Sequence, residues 1–193
     1  HYAILWLVVS SLFFYGWWNP AYLFLMIISI VGNFYLGRLL VNQKQYAKVI
    51  LILGIAVNLS FLGYFKYANF FIEQLNIATG SDFHLEKIIL PLAISFFTFQ
   101  QIAFLVDSYR HETKEYSFIH YSLFVTFFPQ LIAGPIVHHK EMLPQFLNDD
   151  TFNVTAKNIT IGLSIFALGF FKKTVLADGI APYANVVFDG SQQ

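Results

Sequence analysis

Residues 1–37 read HYAILWLVVSSLFFYGWWNPAYLFLMIISIVGNFYLG, and no Asp, Glu, Lys or Arg occurs before Arg38. A helix needs about 20 mostly apolar residues to span the hydrocarbon of a bilayer. This stretch is too long for one span, and Asn19-Pro20 divides it. Proline removes a backbone donor and disfavours helix in the residue before it, so the dipeptide suits a turn between two spans. Further charge-free runs lie at 49–65, 88–106, 116–139 and 158–171. They predict helices near 2–18, 21–40, 47–72, 87–108, 118–137 and 157–176. The expected fold class is all-α, a polytopic helical membrane protein. It has five to six transmembrane or re-entrant helices in a single membrane domain, 1–193.

The composition agrees. The 193 residues carry 11 Lys plus Arg and 11 Asp plus Glu, or 11% charged, against 57% hydrophobic and 19% aromatic. A soluble domain carries roughly 25% charged residues. The balance excludes a soluble enzyme, a disordered chain and, with no net positive charge, a nucleic-acid binder. No cysteine is present, which removes disulfides, thiolate metal sites and a Cys nucleophile. The first segment lacks the basic start and small-residue cleavage site of a signal peptide.

Arg38, Lys44 and Lys48 follow the second span with no acid among them, which places that loop in the cytoplasm. The Asn19-Pro20 turn and the acidic 73–87 loop then face outward, and the 107–115 loop faces inward. If 118–137 spans, Lys172 and Lys173 lie inside; if it enters and returns, they lie outside. Trp6, Trp17 and Trp18 sit near helix ends, where rings settle at headgroup level.

Polar residues inside these segments need partners. Asn33 and Asn58 read as inter-helix hydrogen bonders, and Gly54, Gly63, Gly162 and Gly169 as small packing positions. Lys66, between Tyr64 and Tyr67, reads as a snorkelling lysine in an aromatic belt rather than a catalytic one. Ser95, Thr98 and Gln101 share a helical face, which either lines a cavity or joins helices. Asp107 and Arg110, three apart, are expected to form an ion pair at the inner interface. The stretch Phe127-Phe128-Pro129-Gln130-Leu131-Ile132-Ala133-Gly134-Pro135-Ile136-Val137-His138-His139 holds two prolines and a glycine, so a broken or re-entrant helix is expected. Gln130, His138 and His139 surround the break. Adjacent histidines point apart on a helix, and no metal site is expected.

Three strings together resemble the membrane-bound O-acyltransferase family. They are Leu90-Pro91-Leu92-Ala93-Ile94-Ser95-Phe96-Phe97-Thr98-Phe99-Gln100, Val106-Asp107-Ser108-Tyr109-Arg110, and Phe128-Pro129-Gln130-Leu131-Ile132-Ala133-Gly134-Pro135-Ile136-Val137. The likeness is to its bacterial branch, which O-acetylates alginate and peptidoglycan. Phe14-Tyr15-Gly16-Trp17-Trp18, Gly63-Tyr64-Phe65-Lys66-Tyr67-Ala68-Asn69-Phe70 and Phe171-Lys172-Lys173-Thr174-Val175-Leu176-Ala177-Asp178 are similar to that branch as well.

The resemblance implies a ring of membrane helices around a thin centre. A tunnel there would pass acetyl groups from cytoplasmic acetyl-CoA to an extracytoplasmic acceptor protein or polysaccharide-modifying partner. It implies a multi-pass protein of the bacterial inner membrane, in contact with lipid and without nucleic acid or a bound cofactor. Ser95, Thr98, Gln101, Gln130, Gly134, Pro135 and His138 are the candidates for lining the tunnel. The family's catalytic histidine lies in a Trp-His-Gly context. Here no Trp precedes a His, so no catalytic residue is expected within 1–193. The chain then reads as an N-terminal-half fragment lacking the family's first helix and inactive alone. Half of a transporter or flippase, or a non-catalytic scaffold, is the alternative.

Overall fold

The computed structural model describes residues 2–83, 88–113, 117–134, 139–148, 151 and 153–190. The described residues are helical with no strand, and they form two compact units, His1–Leu147 and Asn148–Gln193.

In the first unit, α1 (Tyr2–Trp18) and α2 (Pro20–Asn42) meet at the expected turn. Asn19 caps α2, its Oδ1 accepting the Ala21 N–H at 2.9 Å, and Pro20 takes the first helical position, where no donor is needed. The third helix, α3 (Ala47–Thr79), is longer than expected. Its 33 residues rise about 1.5 Å each, roughly 50 Å in all, against about 30 Å of hydrocarbon. Nothing stops it until Gly80, which takes a left-handed conformation at φ 68° and closes the helix.

The fourth helix starts later than residue 87. Residues 88–93 are irregular, and α4 runs Ile94–Tyr109. Tyr15 and Tyr22 donate their hydroxyls to the carbonyls of Leu92 (3.1 Å) and Ile89 (2.5 Å). Those carbonyls are thereby satisfied without helix, while Pro91 offers no donor. Ala93 sits at φ 55°, a left-handed turn into α4.

The expected helix 118–137 is broken. It consists of α5 (Phe118–Thr126) and α6 (Phe128–Ala133), with Phe127 out of helical geometry at ψ 97°. A further helix, α7 (His139–Leu147), closes the unit. The core gathers Tyr15, Met26, Phe34, Phe104, Tyr121 and Phe124 where α1, α2, α4 and α5 converge. Phe13, Trp17, Ile28 and Phe71 are exposed, the arrangement of a bundle whose outer face meets lipid.

The second unit is α8 (Ala156–Phe171), a π-helical turn at Lys172–Ala177, and α9 (Asp178–Gly190). Thr155 caps α8 by accepting the Asn158 N–H at 3.2 Å. The helix continues past the expected end at 176. Asp178 N–H reaches back five residues to Lys173 O, and this wider turn precedes Pro182. Asp189 and Gly190 lie in the last turn of α9.

Pro20–Asn42, Ala47–Thr79 and Ala156–Val187 are each long and apolar enough to cross a membrane, and Tyr2–Trp18 and Phe118–Ile132 are shorter apolar helices. The chain is an all-α, multi-pass membrane protein.

Candidate functional site

Three helices are joined by a buried amide cluster. Asn33 on α2 donates through Nδ2 to Asn58 Oδ1 on α3 (3.1 Å), to Ser29 O (2.9 Å) and to Gln101 Oε1 on α4. Asn58 returns a bond from Nδ2 to Asn33 Oδ1 at 2.6 Å and another to Gly54 O at 2.8 Å. Ser29 donates to Gln101 Oε1 at 2.7 Å. Asn33 and Asn58 thus join helices, as their position inside spans suggested. Gln101 belongs to the same cluster, while its Nε2 has no hydrogen-bond partner among the described residues. Thr98 is buried one turn earlier, and Ser95 is half-buried.

Close helix approach accompanies this cluster. A Cβ on Gly37 would lie 2.4 Å from Phe104 Cε1, and one on Gly54 would lie 2.9 Å from Leu105 Cδ1. Gly63, Gly162 and Gly169 face open space instead. Lys66 is exposed, its ammonium 5.4 Å from the centroid of the Tyr67 ring.

The broken segment runs beside α1. Phe14 stacks on Phe128 with centroids 4.9 Å apart. Gly134 leaves the helix in extended backbone, φ −86° and ψ 162°, while its N–H bonds Gln130 O at 2.9 Å. A Cβ there would fall 2.7 Å from Gln130 Cα and O, so glycine is what the turn accepts. Gln130 is half-buried within this unit. Pro135 and His138 lie outside the described residues.

The expected Asp107–Arg110 pair is not formed. The helix ends at Tyr109, and Arg110 occupies the cap with its side chain exposed. Asp107 instead turns inward to α7. Its Oδ2 lies 3.4 Å from His139 Nδ1, and its Oδ1 lies 4.0 Å from Lys140 Nζ. His139 is 1% exposed, edge-on to Phe104 and Phe124. Lys140 also pairs with Glu112. A spacing rule along one helix missed this contact because the partner lies on another element.

The Lys140–Glu112 pair has a pH signature. The hydrogen bond from Lys140 holds the Glu112 carboxyl below the ordinary carboxylate range, and Glu112 raises the Lys140 ammonium above the ordinary lysine range. A lowered carboxyl pKa adds stability above the unfolded value, lost as pH falls through the folded value. A raised lysine pKa adds stability below the unfolded value, lost as pH rises through the folded value. The contribution is therefore present at neutral pH and lost at both extremes. The side chains are 41% and 44% exposed, so screening keeps it small. Glu112→Gln should lower the melting temperature slightly at neutral pH and low salt. The gap to wild type should close in strong acid and in roughly 1 M salt. A gap that survives both conditions would show that Glu112 stabilises by some other contact.

Between the C-terminal ends of α2 and α4 and the N-terminal end of α5 lies a cleft of about 730 Å³. Phe34, Phe104 and Phe118 form its apolar wall, and Arg38, Asn42 and Thr113 contribute polar groups. Ser95, Thr98, Gln101, Gln130 and Gly134 do not line it. The composition of the second span pointed to Arg38 only as a topology marker.

The comparisons with known proteins bear on this architecture. Residues 43–189 match the sequence model of MBOAT, the membrane-bound O-acyltransferase family. The chain is 46% identical to the peptidoglycan O-acetyltransferase of Helicobacter pylori, over 96% of this chain and 40% of that protein. It is 38% identical to the probable alginate O-acetylase AlgI of Pseudomonas aeruginosa, over 97% of this chain and 37% of that protein. The corresponding protein of Azotobacter vinelandii is 36% identical, over 97% and 38%. No solved structure matches the chain. The chain spans about two fifths of the length of the curated relatives it matches. With the family model covering most of its length, the chain belongs to the membrane-bound O-acyltransferase family.

Proposed function

We propose that this chain is part of an O-acetyltransferase of the bacterial inner membrane. The enzyme takes acetyl groups from acetyl-CoA on the cytoplasmic side and passes them across the membrane for O-acetylation of an extracellular polysaccharide. The observation that carries this reading is identity running along 96% of the chain to a peptidoglycan O-acetyltransferase. The same observation favours peptidoglycan over alginate as the acceptor, since identity to the alginate proteins is lower, 38% in the Pseudomonas aeruginosa relative.

Acetyl transfer from a thioester to a hydroxyl needs a base of pKa near working pH, a role suited to imidazole. The Trp-His-Gly histidine of the family is not within residues 1–193. The role proposed for this part is to shape the path. The broken backbone at Phe127 and Gly134 supports that role, because irregular backbone at membrane depth is tolerated only against protein or a watery cavity. Gln101, with a buried amide nitrogen left unbonded, and Thr98 and Ser95 on the same face support a lining position. Gln130, Gly134, Pro135 and His138 complete the proposed lining around the break. An extracytoplasmic partner would receive the acetyl group.

Deleting the whole gene should remove most base-labile acetate from purified peptidoglycan, and restoring the gene should return it. In inverted inner-membrane vesicles, labelled acetyl-CoA added to the exposed cytoplasmic face should yield labelled ester only when the full protein is present. Unchanged ester in the deletion strain would refute the reading. Labelled acetate accumulating inside the vesicles without any ester would favour the transporter alternative.

A further inference from the structure

The short helix α7 is poorly equipped to hold its own position. It has nine residues, and Pro144 inside it removes the hydrogen bond that would reach the Lys140 carbonyl. A helix this short is marginal by itself, so its place must come from contacts with other elements. Those contacts lie on one face. His139, Met142, Leu143 and Phe146 recur at helical spacing, the first three buried and Phe146 half-buried.

The two ends of this face reach different parts of the unit. At the start, His139 Nδ1 lies 3.4 Å from Asp107 Oδ2 on α4, and the imidazole is edge-on to Phe104 and Phe124 with centroids 5.8 and 6.0 Å away. Asp107 belongs to the last turn of α4, where the helix dipole disfavours an anion, whereas the first turn of α7 favours one. The carboxylate is thus better placed against the start of α7 than against the end of its own helix. At the far end, Phe146 packs edge-on against Phe127, with centroids 5.3 Å apart and planes at 73°. Phe127 is the residue at which α5 breaks from α6. Four residues of chain separate Gly134, where α6 ends, from His139. The helix α7 therefore braces the break twice, through Phe146 where the break begins and through His139 shortly after it ends. Met142 and Leu143, between the two, belong to the main core.

We propose that Asp107 and His139 are positioning residues for acetyl transfer: they pin α7, and α7 in turn holds the broken segment in shape through Phe146 and Phe127. The proposal rests on the reading that the broken segment lines the acetyl path. Neither side chain needs to touch the acetyl group. Removing one partner of a buried charged contact strands the other, so the two act as a unit.

Two measurements on the full protein separate this brace from the reading it rests on. The first is blind to activity. A cysteine at Gln130, in a protein otherwise freed of reactive cysteine, is labelled with a maleimide in detergent. His139→Leu should change its labelling rate several-fold, and Phe146→Leu should change it in the same direction. The second is the rate of ester formation in inverted vesicles. His139→Leu should lower kcat about ten- to a hundredfold, the scale of a displacement near 1 Å, with KM for acetyl-CoA changed by no more than about twofold. Phe146→Leu should cost less, and the double variant should be no slower than His139→Leu alone, since both act through α7. His139→Asn, whose amide nitrogen can take the place of Nδ1, should restore most of the rate. Glu112→Gln, on the exposed pair with Lys140, should keep the wild-type kcat. Asp107→Asn keeps the shape of the carboxylate without its charge and repeats both measurements should His139→Leu not fold. Unchanged labelling in the pinning variants would overturn the proposal, as would altered labelling with wild-type kcat, or multiplied losses in the double variant. A wild-type protein that forms no ester refutes the acetyl-transfer reading instead, and labelling then judges the brace by itself.

Discussion

Replacing Gly37 by alanine should destabilise the first unit by about 2–3 kcal/mol, at the upper end of overpacking costs. The added Cβ would lie 2.4 Å from Phe104 Cε1 and 3.1 Å from Cζ, well inside contact distance, with Ser108 Oγ at 3.3 Å. Phe104 cannot step aside freely. Its ring sits 4.4 Å from that of Tyr121 and 5.8 Å from that of His139, both fully buried. Either α2 and α4 separate, or Phe104 moves and takes the aromatic cluster with it. Gly32 on the same helix supplies the control, since a Cβ there meets nothing within 4 Å. Gly32→Ala should be neutral or stabilising by about 0.5–1 kcal/mol through helix propensity. Thermal unfolding in detergent, read side by side, checks the pair. Equal stability of the two variants would mean that the α2–α4 approach is looser than the structure has it.

Asn33→Leu should cost about 2–4 kcal/mol. Leucine is close in size, so the loss is one of hydrogen bonds rather than volume. Asn58 would lose the 2.6 Å acceptor for its Nδ2 and the donor to its Oδ1, and Gln101 Oε1 would keep only Ser29. Each inter-helix hydrogen bond in a membrane is worth about 0.6 kcal/mol on average, but an orphaned buried polar group costs about 1–3 kcal/mol. The triple change Asn33→Leu, Asn58→Leu and Gln101→Leu removes the orphans along with the bonds and should recover most of the loss. Additive losses across the three sites would contradict the cluster as described. Reversible unfolding in mixed micelles distinguishes recovery from addition.

Legibility differed from residue to residue. The Asn19-Pro20 turn could be read because a cap and a proline act on neighbours along the chain. The interruption after Phe127 could be read because Pro129 and Gly134 act locally in the same way. Asn33 and Asn58 could be recognised as joining residues, since an amide within a span must find a partner, although the partner could not be named. Hydropathy starts α4 too early because it carries no trace of Tyr15 and Tyr22 reaching the carbonyls at 92 and 89. Helical spacing pairs Asp107 with Arg110, whereas the buried imidazole of His139 holds the position facing it. Of the seven tunnel candidates, Gln101 on α4 is bonded to Ser29 and Asn33 of α2 in the amide cluster, and Pro135 and His138 lie outside the described residues.

Residence in the membrane and the all-helical class were set by the sequence alone. Hydrocarbon offers no hydrogen bonds to the backbone, so a long apolar stretch must satisfy itself by local helical bonds, and charge-free length suffices to reveal it. What each polar side chain faces was decided only by the tertiary structure. In lipid the apolar surface of one helix suits the acyl chains as well as it suits another helix, so hydrophobicity does not select partners. Close approach at Gly37, the amide junction and the Asp107–His139 contact do select them, and each joins residues far apart in the chain.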